Sequence, residues 1–122
     1  MLAIDIEALT RENEDFRREA ATAEHSQVVL MTIPPGEEIG EEVHEEIDQL
    51  LVFVDGEAEA IVADESAIVG AGQAVLVPAG TRHNFRNAGD SALRLWTVYA
   101  PPEHPAGTVH RTKADADAAE EH

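Results

Sequence analysis

A chain of 122 residues is long enough to bury one hydrophobic core and short for two, and with no cysteine it holds no disulfide, thiolate ligand or cysteine nucleophile. Its 25 acidic side chains against 8 basic ones give a net charge of −17, a field that repels nucleic acid and anionic membranes and argues against both as partners. There is no basic leader, no internal repeat, and no apolar run longer than 50–54, so a soluble cytoplasmic single-domain protein is expected. The acidity has two readings. One is an ordinary solvated surface; the other, which the single lysine (Lys113) and the wealth of alanine and valine favour, is adaptation to high salt.

In chain order, 5–10 reads as a turn of helix, and 15–23 and 27–33 as two strands joined by the polar turn Glu24, His25, Ser26. Pro34, Pro35 and Gly36 break the second strand. A short strand is expected over 42–45 and a clearer one over 49–54, where Asp55 and Gly56 signal a hairpin into a strand at 57–62. Strands at 66–69, 74–77, 83–86 and 93–99 complete the set. Many short strands with frequent turn signals argue for a β-sandwich or barrel. Beyond them, Pro101, Pro102 and Pro105 exclude regular structure and favour an extended path over the surface. The tail 112–121 reads as a short exposed helix with Thr112 as N-cap. The expected organisation is a segment 1–13, a β-barrel over 14–100, and a Pro-rich extension with an acidic tail over 101–122.

The stretch from 72 to 87, GQAVLVPAGTRHNFRN, carries the most specific signal. Gly72 turns the chain into an apolar strand, Pro78 ends its ladder for want of an N–H, Gly80 permits a tight turn, and His83 opens the next strand, followed by Asn87. Upstream, Gly36 is followed at fixed intervals by Glu42, His44, Gln49 and Gly56. Together these segments resemble the two motifs of the cupins, with fifteen residues between them. In the first motif, Glu42 stands where the family has His, and Gln49 where it has Glu. The flanks, 15–49 and 99–116, are also similar to a subgroup of small microbial single-domain cupins. The resemblance implies an all-β, cupin-type double-stranded β-helix (jelly-roll) barrel with short terminal helical segments.

Strand periodicity puts Glu42 and His44 on one face, and Gln49, Leu51 and Phe53 on one face of the next strand. With His83 entering from the Pro-Gly turn, one carboxylate, two imidazoles and one amide oxygen can converge. Such a set suits a single divalent ion: Zn²⁺, Mn²⁺, Fe²⁺ or Ni²⁺. Each residue has a plainer reading. Glu42 sits among many acids, His44 could pair with one of them, Gln49 could bond backbone, and Asp48 is a rival ligand if the register slips by one. His104 and His110 read as exposed loop histidines, His110 being the better acid or base should its segment cross the barrel mouth. Tyr99 and Trp96 read as core, and Arg82, Arg86 and Arg94 as bases near the site, more simply explained by surface pairing.

Two functions compete. One is a small metal-dependent enzyme, isomerase-, lyase- or oxygenase-like, acting on a polar small molecule such as a sugar derivative or organic acid, with Leu51, Phe53 and Phe85 excluding water. The other is a non-catalytic metal- or ligand-binding or sensor barrel. Leu50, Leu51, Val52, Phe53 and Val54 are apolar at successive positions, although one face of a small barrel should meet water. Either the N-terminal strands or a second subunit must cover that face, and a homodimer is the favoured expectation.

Overall fold

The computed structural model describes residues 1–120. Helix α1 (Ile6–Glu12) precedes strands β1 (Arg17–Thr22), β2 (Gln27–Ile33), β3 (Asp48–Asp55), β4 (Glu57–Val62), β5 (Glu65–Gly70), β6 (Ala74–Val77), β7 (His83–Asn87), β8 (Leu93–Ala100) and β9 (Val109–His110). Helix α2 (Lys113–Glu120) follows. All strand pairs are antiparallel, in a six-stranded sheet ordered β6-β3-β8-β2-β1-β9 and a three-stranded sheet ordered β5-β4-β7. The jelly roll expected from the sequence is present. It takes the form of two sheets sharing one core rather than a ring closed by continuous ladders.

Alternation builds that core. In β8, Leu93, Leu95, Thr97 and Tyr99 are buried while the residues between them are half-exposed, and β3 likewise buries Gln49, Leu51 and Phe53. Phe53 of the large sheet meets Phe85 of the small one with ring centroids 5.9 Å apart, and both are essentially inaccessible. Burying two such rings contributes roughly 1.5–3 kcal/mol each. Gly56, at the β3–β4 turn, has φ +87°, and a Cβ there would stand 2.8 Å from the Ala92 carbonyl oxygen. Only glycine lets the hairpin press against the start of β8.

Asn87 closes the second motif from inside. Its amide Nδ2 donates to the carbonyls of Ile33 (2.9 Å) and Ser91 (2.8 Å), and its Oδ1 accepts from the Gly89 N–H (2.9 Å). It thereby satisfies the turn into β8 and ties it to the end of β2.

Three expectations need correction. No strand forms over 42–45. Instead Glu38 and Glu42 make isolated bridges to Arg86 and His83 on the free edge of β7, and Gly40, at φ +113°, breaks the ladder between them. The Pro-rich extension is not wholly irregular, because once past Pro105 the chain adds β9 to the edge of β1. The apolar outer face of β3 is covered in part by neither anticipated layer but by α1, which packs on β8, β3 and β2 and is pinned by a two-pronged Arg11–Asp55 ion pair at 2.8 Å. In α2, Thr112 Oγ1 accepts from the Asp115 N–H at 3.1 Å, as an N-cap should. Residue 121 of the expected helix lies outside the described residues. Among the described residues no helix is long and apolar enough to cross a membrane.

Candidate metal and ligand site

Backbone pairing assembles the site at one end of the sandwich. In the large sheet, cross-strand partners Gln27, Tyr99, Gln49 and Val77 form a row. From the small sheet His83 pairs with Glu42 through reciprocal N–H···O bonds of 2.9 and 3.0 Å, and the His44 carbonyl accepts from the Gly80 N–H at 2.8 Å. Gly80, at φ +80°, makes this turn accessible and thereby fixes His44 beside His83, their ring centroids 5.4 Å apart. Glu42, His44 and His83 are thus linked pairwise, and Gln49 stands beside Tyr99 in the facing sheet, each held by a different constraint.

Gln49 is the most telling. The Thr97 hydroxyl donates to the Leu50 carbonyl at 2.9 Å, so toward Gln49 it can only accept, and the Gln49 Nε2 duly donates to it at 3.1 Å. The amide oxygen is therefore turned away from Thr97, and this Oε1 is buried without a protein partner. A buried acceptor left unmade costs about 1–3 kcal/mol. His83 is fixed in the same manner. Its Nδ1 lies 2.9 Å from the Thr81 carbonyl oxygen, which can only accept, so Nδ1 carries a proton and Nε2 is the nitrogen that would meet a metal.

His44 stands between two carboxylates. Its Nδ1 is 3.6 Å from Glu103 Oε2 and its Nε2 is 2.9 Å from Glu42 Oε2, yet the second contact is off the line of a hydrogen bond. The spacing matches two adjacent ligands of an octahedral ion, which at about 2.1 Å from a metal lie roughly 3 Å apart. Chemically the donor set fits a divalent cation: two imidazole nitrogens, a carboxylate, and an amide oxygen with nothing else to bind. The present arrangement stops short of a formed cluster, since among the described residues no three His, Cys, Asp or Glu side chains come together as a ligand group. Glu42 and His44 pair with each other instead.

That pairing fixes the protonation. Burial alone would push the Glu42 carboxyl up, but the contact and charge of His44 outweigh it and hold the carboxyl below its ordinary range. His44 is raised above 6.5, chiefly by the same contact with Glu42, against the opposing effect of burial. In the metal-free protein the raised His44 contributes stability that is whole below pH 6.5 and is lost as pH rises through its folded pKa. The depressed Glu42 contributes stability that is whole above pH 4.5 and is lost as pH falls through its folded value. Both are therefore in force between pH 4.5 and 6.5. His104 works the other way. Burial, then the charge of Arg17, lowers it to about 4, so the fold loses stability as pH falls below 6.5. The difference in urea midpoint between the chain and His44→Gln isolates the pair. It should be largest between pH 4.5 and 6.5 and shrink above it, and a difference constant from pH 5 to 8 would contradict the pairing.

Several neighbours were not foreseen. Tyr99 is buried, lies edge-on to His44 with centroids 5.9 Å apart, and is raised above its ordinary range chiefly by burial. Glu103 comes from the Pro-rich extension, and burial raises its carboxyl. His104 is no exposed loop residue: its ring stands against Tyr99 at 5.2 Å, and Gln27 grips its backbone by accepting from the N–H (3.0 Å) and donating to the carbonyl (2.6 Å). His110 does not cross the mouth but lies in β9, its Nδ1 3.3 Å from Nη1 of the buried Arg17. Arg82, Arg86 and Arg94 are paired with Glu41, Glu38 and Glu14, as the plainer reading had it. Trp96 is half-buried and faces the α1 side.

The fold agrees with what a comparison of the chain with known families finds, a match to the cupin domain over residues 29–99. This chain belongs to the cupin family. Among curated proteins, this cupin is 43% identical over 131 residues to the uncharacterized protein YrkC of Bacillus subtilis, covering 97% of the chain and 67% of the relative. Among solved structures, it is similar to BH2720 of Bacillus halodurans at 43% identity and TM-score 0.95, covering 96% of this chain and 93% of that one. TT1209 of Thermus thermophilus follows at 30% identity and TM-score 0.72, with 83% and 98% covered.

Proposed function

We propose that this cupin binds one divalent metal ion through Glu42, His44, Gln49 and His83, and that it is a small metal-dependent enzyme, isomerase-, lyase- or oxygenase-like, acting on a polar small molecule such as a sugar derivative or organic acid. The observation that carries the reading is the Gln49 amide oxygen, buried without a partner and held in that orientation by Thr97. A bound ion with a single anionic ligand would keep net positive charge and polarise a substrate oxygen. Around it, Leu51, Phe53 and Phe85 are fully buried and exclude water from the inner side.

The second catalytic group that the sequence did not offer is Glu103. Its carboxyl is raised chiefly by partial loss of solvation and sits 3.6 Å from His44 on a strap that keeps it in touch with solvent, where it can exchange a proton with a bound molecule. This favours the enzyme over a sealed storage or sensor barrel. The decisive test is elemental analysis of protein purified without a metal-affinity step. About one Zn, Mn, Fe or Ni per chain supports the proposal, and protein that neither carries nor takes up any of them overturns it.

We also propose a homodimer. Leu76 remains 62% exposed on the outer face, where it pairs with the half-exposed Leu50, itself beside Val98, beyond the reach of α1. Sedimentation should give twice the chain mass, and Leu76→Glu should return it to the chain mass; a monomer before mutation contradicts the assignment.

A further inference from the structure

We infer that Arg17 is a carboxylate-binding residue: its guanidinium, buried beside Glu42 at a pocket wall, receives one carboxylate of a small organic acid. The inference rests on the small-molecule reading above and narrows its substrate class.

Arg17 occupies a place built for a hydrophobic side chain. Its cross-strand row runs through Met31 and Leu95 to Phe53, all core, and Arg17 itself is 2% exposed. A guanidinium cannot shed its charge, so burying it costs several kcal/mol unless an anion meets it. Among the described residues it makes no ion pair. Its Nη1 meets His110, a neutral partner, its Nε has none, and its plane sits 5.3 Å from the Phe16 ring centroid. The Nε–H of a fork made for bidentate recognition is thus left without a partner.

The side chain lines a cavity of about 300 Å³, with Phe16, Ile39, Glu42, Lys113 and Glu120 among the walls. That is the lower end of the size of small-molecule pockets. Glu42 ties this cavity to the proposed metal ligands, so a carboxylate on Arg17 would leave the rest of a small acid facing them. The acids around the rim do not forbid an anion. Glu38 is paired with Arg86, Glu41 with Arg82, Glu42 with His44 and Asp117 with Lys113, and Glu120 lines the cavity without coming within ion-pair distance of Arg17, so among the described residues no carboxylate pairs with that guanidinium. A cationic ligand would have to accept burial against Arg17 itself.

The test is titration of the full chain, chelator-treated and metal-loaded, with three probes of nearly equal size: acetate, acetamide and methylammonium. The readout is the NMR resonance of the Arg17 Nε–H, assigned by its loss in Arg17→Lys. Acetate should move it saturably in the parent chain and the other two probes should not. Bulk binding, followed by backbone amides at the pocket, should weaken at least about tenfold in Arg17→Lys, which keeps the charge but lacks the fork, and vanish in Arg17→Met. Arg18→Met, an exposed neighbour paired with Asp15, should leave it unchanged. Equal effects of acetate and acetamide, no movement with any probe, a response to methylammonium alone, or undiminished acetate binding in Arg17→Lys would each overturn the inference, even if Arg17→Met does not fold. Acetate binding in a chain that takes up none of the four metals would sink the metal assignment and leave this one standing. Metal at one per chain with no acetate response would do the reverse.

Discussion

His83→Ala and His44→Ala should each strip the chain of its metal, taking the content measured by elemental analysis from about one divalent ion to near zero. The expectation follows from how few donors there are. The proposed set has four members, one of them a neutral amide, so the loss of one imidazole removes half of its nitrogen donors, the strongest neutral ligands present. His83 contributes a ring already fixed in its tautomer by Thr81, which no substitute reproduces. His44 contributes the nitrogen that lies 2.9 Å from Glu42 Oε2, and its removal also leaves that carboxylate without its partner. Glu42→Gln and Gln49→Ala should weaken affinity without abolishing it, because the two imidazoles remain. Their ranking is informative: Glu42→Gln removes the sole anionic ligand and should cost more. Retention of a full equivalent of metal in both histidine variants would place the ion elsewhere.

Phe85→Ala should be the most damaging substitution outside the four proposed ligands, at about 3–5 kcal/mol. The ring is 1% exposed, packs against Phe53 across the two sheets at 5.9 Å and lies 6.2 Å from the His83 ring. Set against a typical total of about 5–15 kcal/mol, that removes a large part of the stability of the chain. The control is Leu76→Ala, which shortens a large apolar side chain that is 62% exposed and should shift stability of the separated subunit by no more than about 0.5 kcal/mol. Urea unfolding at concentrations where the chain is monomeric compares the two directly. Equal costs would mean that the two sheets do not depend on this contact.

Much of the fold could be read from the chain because its signals are local. Pro78, Gly80 and Gly56 fix turns by backbone chemistry alone, and period-two alternation then places Leu51 and Phe53 inside. Strands β2, β4 and β6 fall where the pattern put them. What could not be read depends on partners remote in sequence. The 42–45 stretch has strand-like alternation, yet only the edge of β7 is available to it, and Gly40 limits that to single bridges. Likewise β9 is too short to announce itself and exists because β1 leaves an open edge at Arg17 and Arg18.

The site divides along the same line. Glu42, His44, Gln49 and His83 stood out because the motif spacing tied them to turns, and the structure brings them to one end of the sandwich. Tyr99, Glu103 and His104 did not, since a tyrosine in an apolar strand looks like core and a Glu between prolines looks solvated. Tyr99 is set by the register of β8, and Glu103 and His104 are held by the Gln27 clamp, 76 and 77 residues away in sequence. Arg17 is the sharpest case. In a run of charged residues it is indistinguishable from Arg18, and only the strand's register decides that one is buried and the other exposed.

The central claim, that one divalent ion sits among these four side chains, is tested most directly by a crystal structure of metal-loaded protein with anomalous data at the metal's absorption edge. The account predicts one strong peak per chain within about 2.0–2.2 Å of His44 Nε2, His83 Nε2, a Glu42 oxygen and the Gln49 amide oxygen, with the Glu42–His44 contact opened around it. A peak away from these atoms, or full metal occupancy with the Gln49 oxygen still unpartnered, would contradict it.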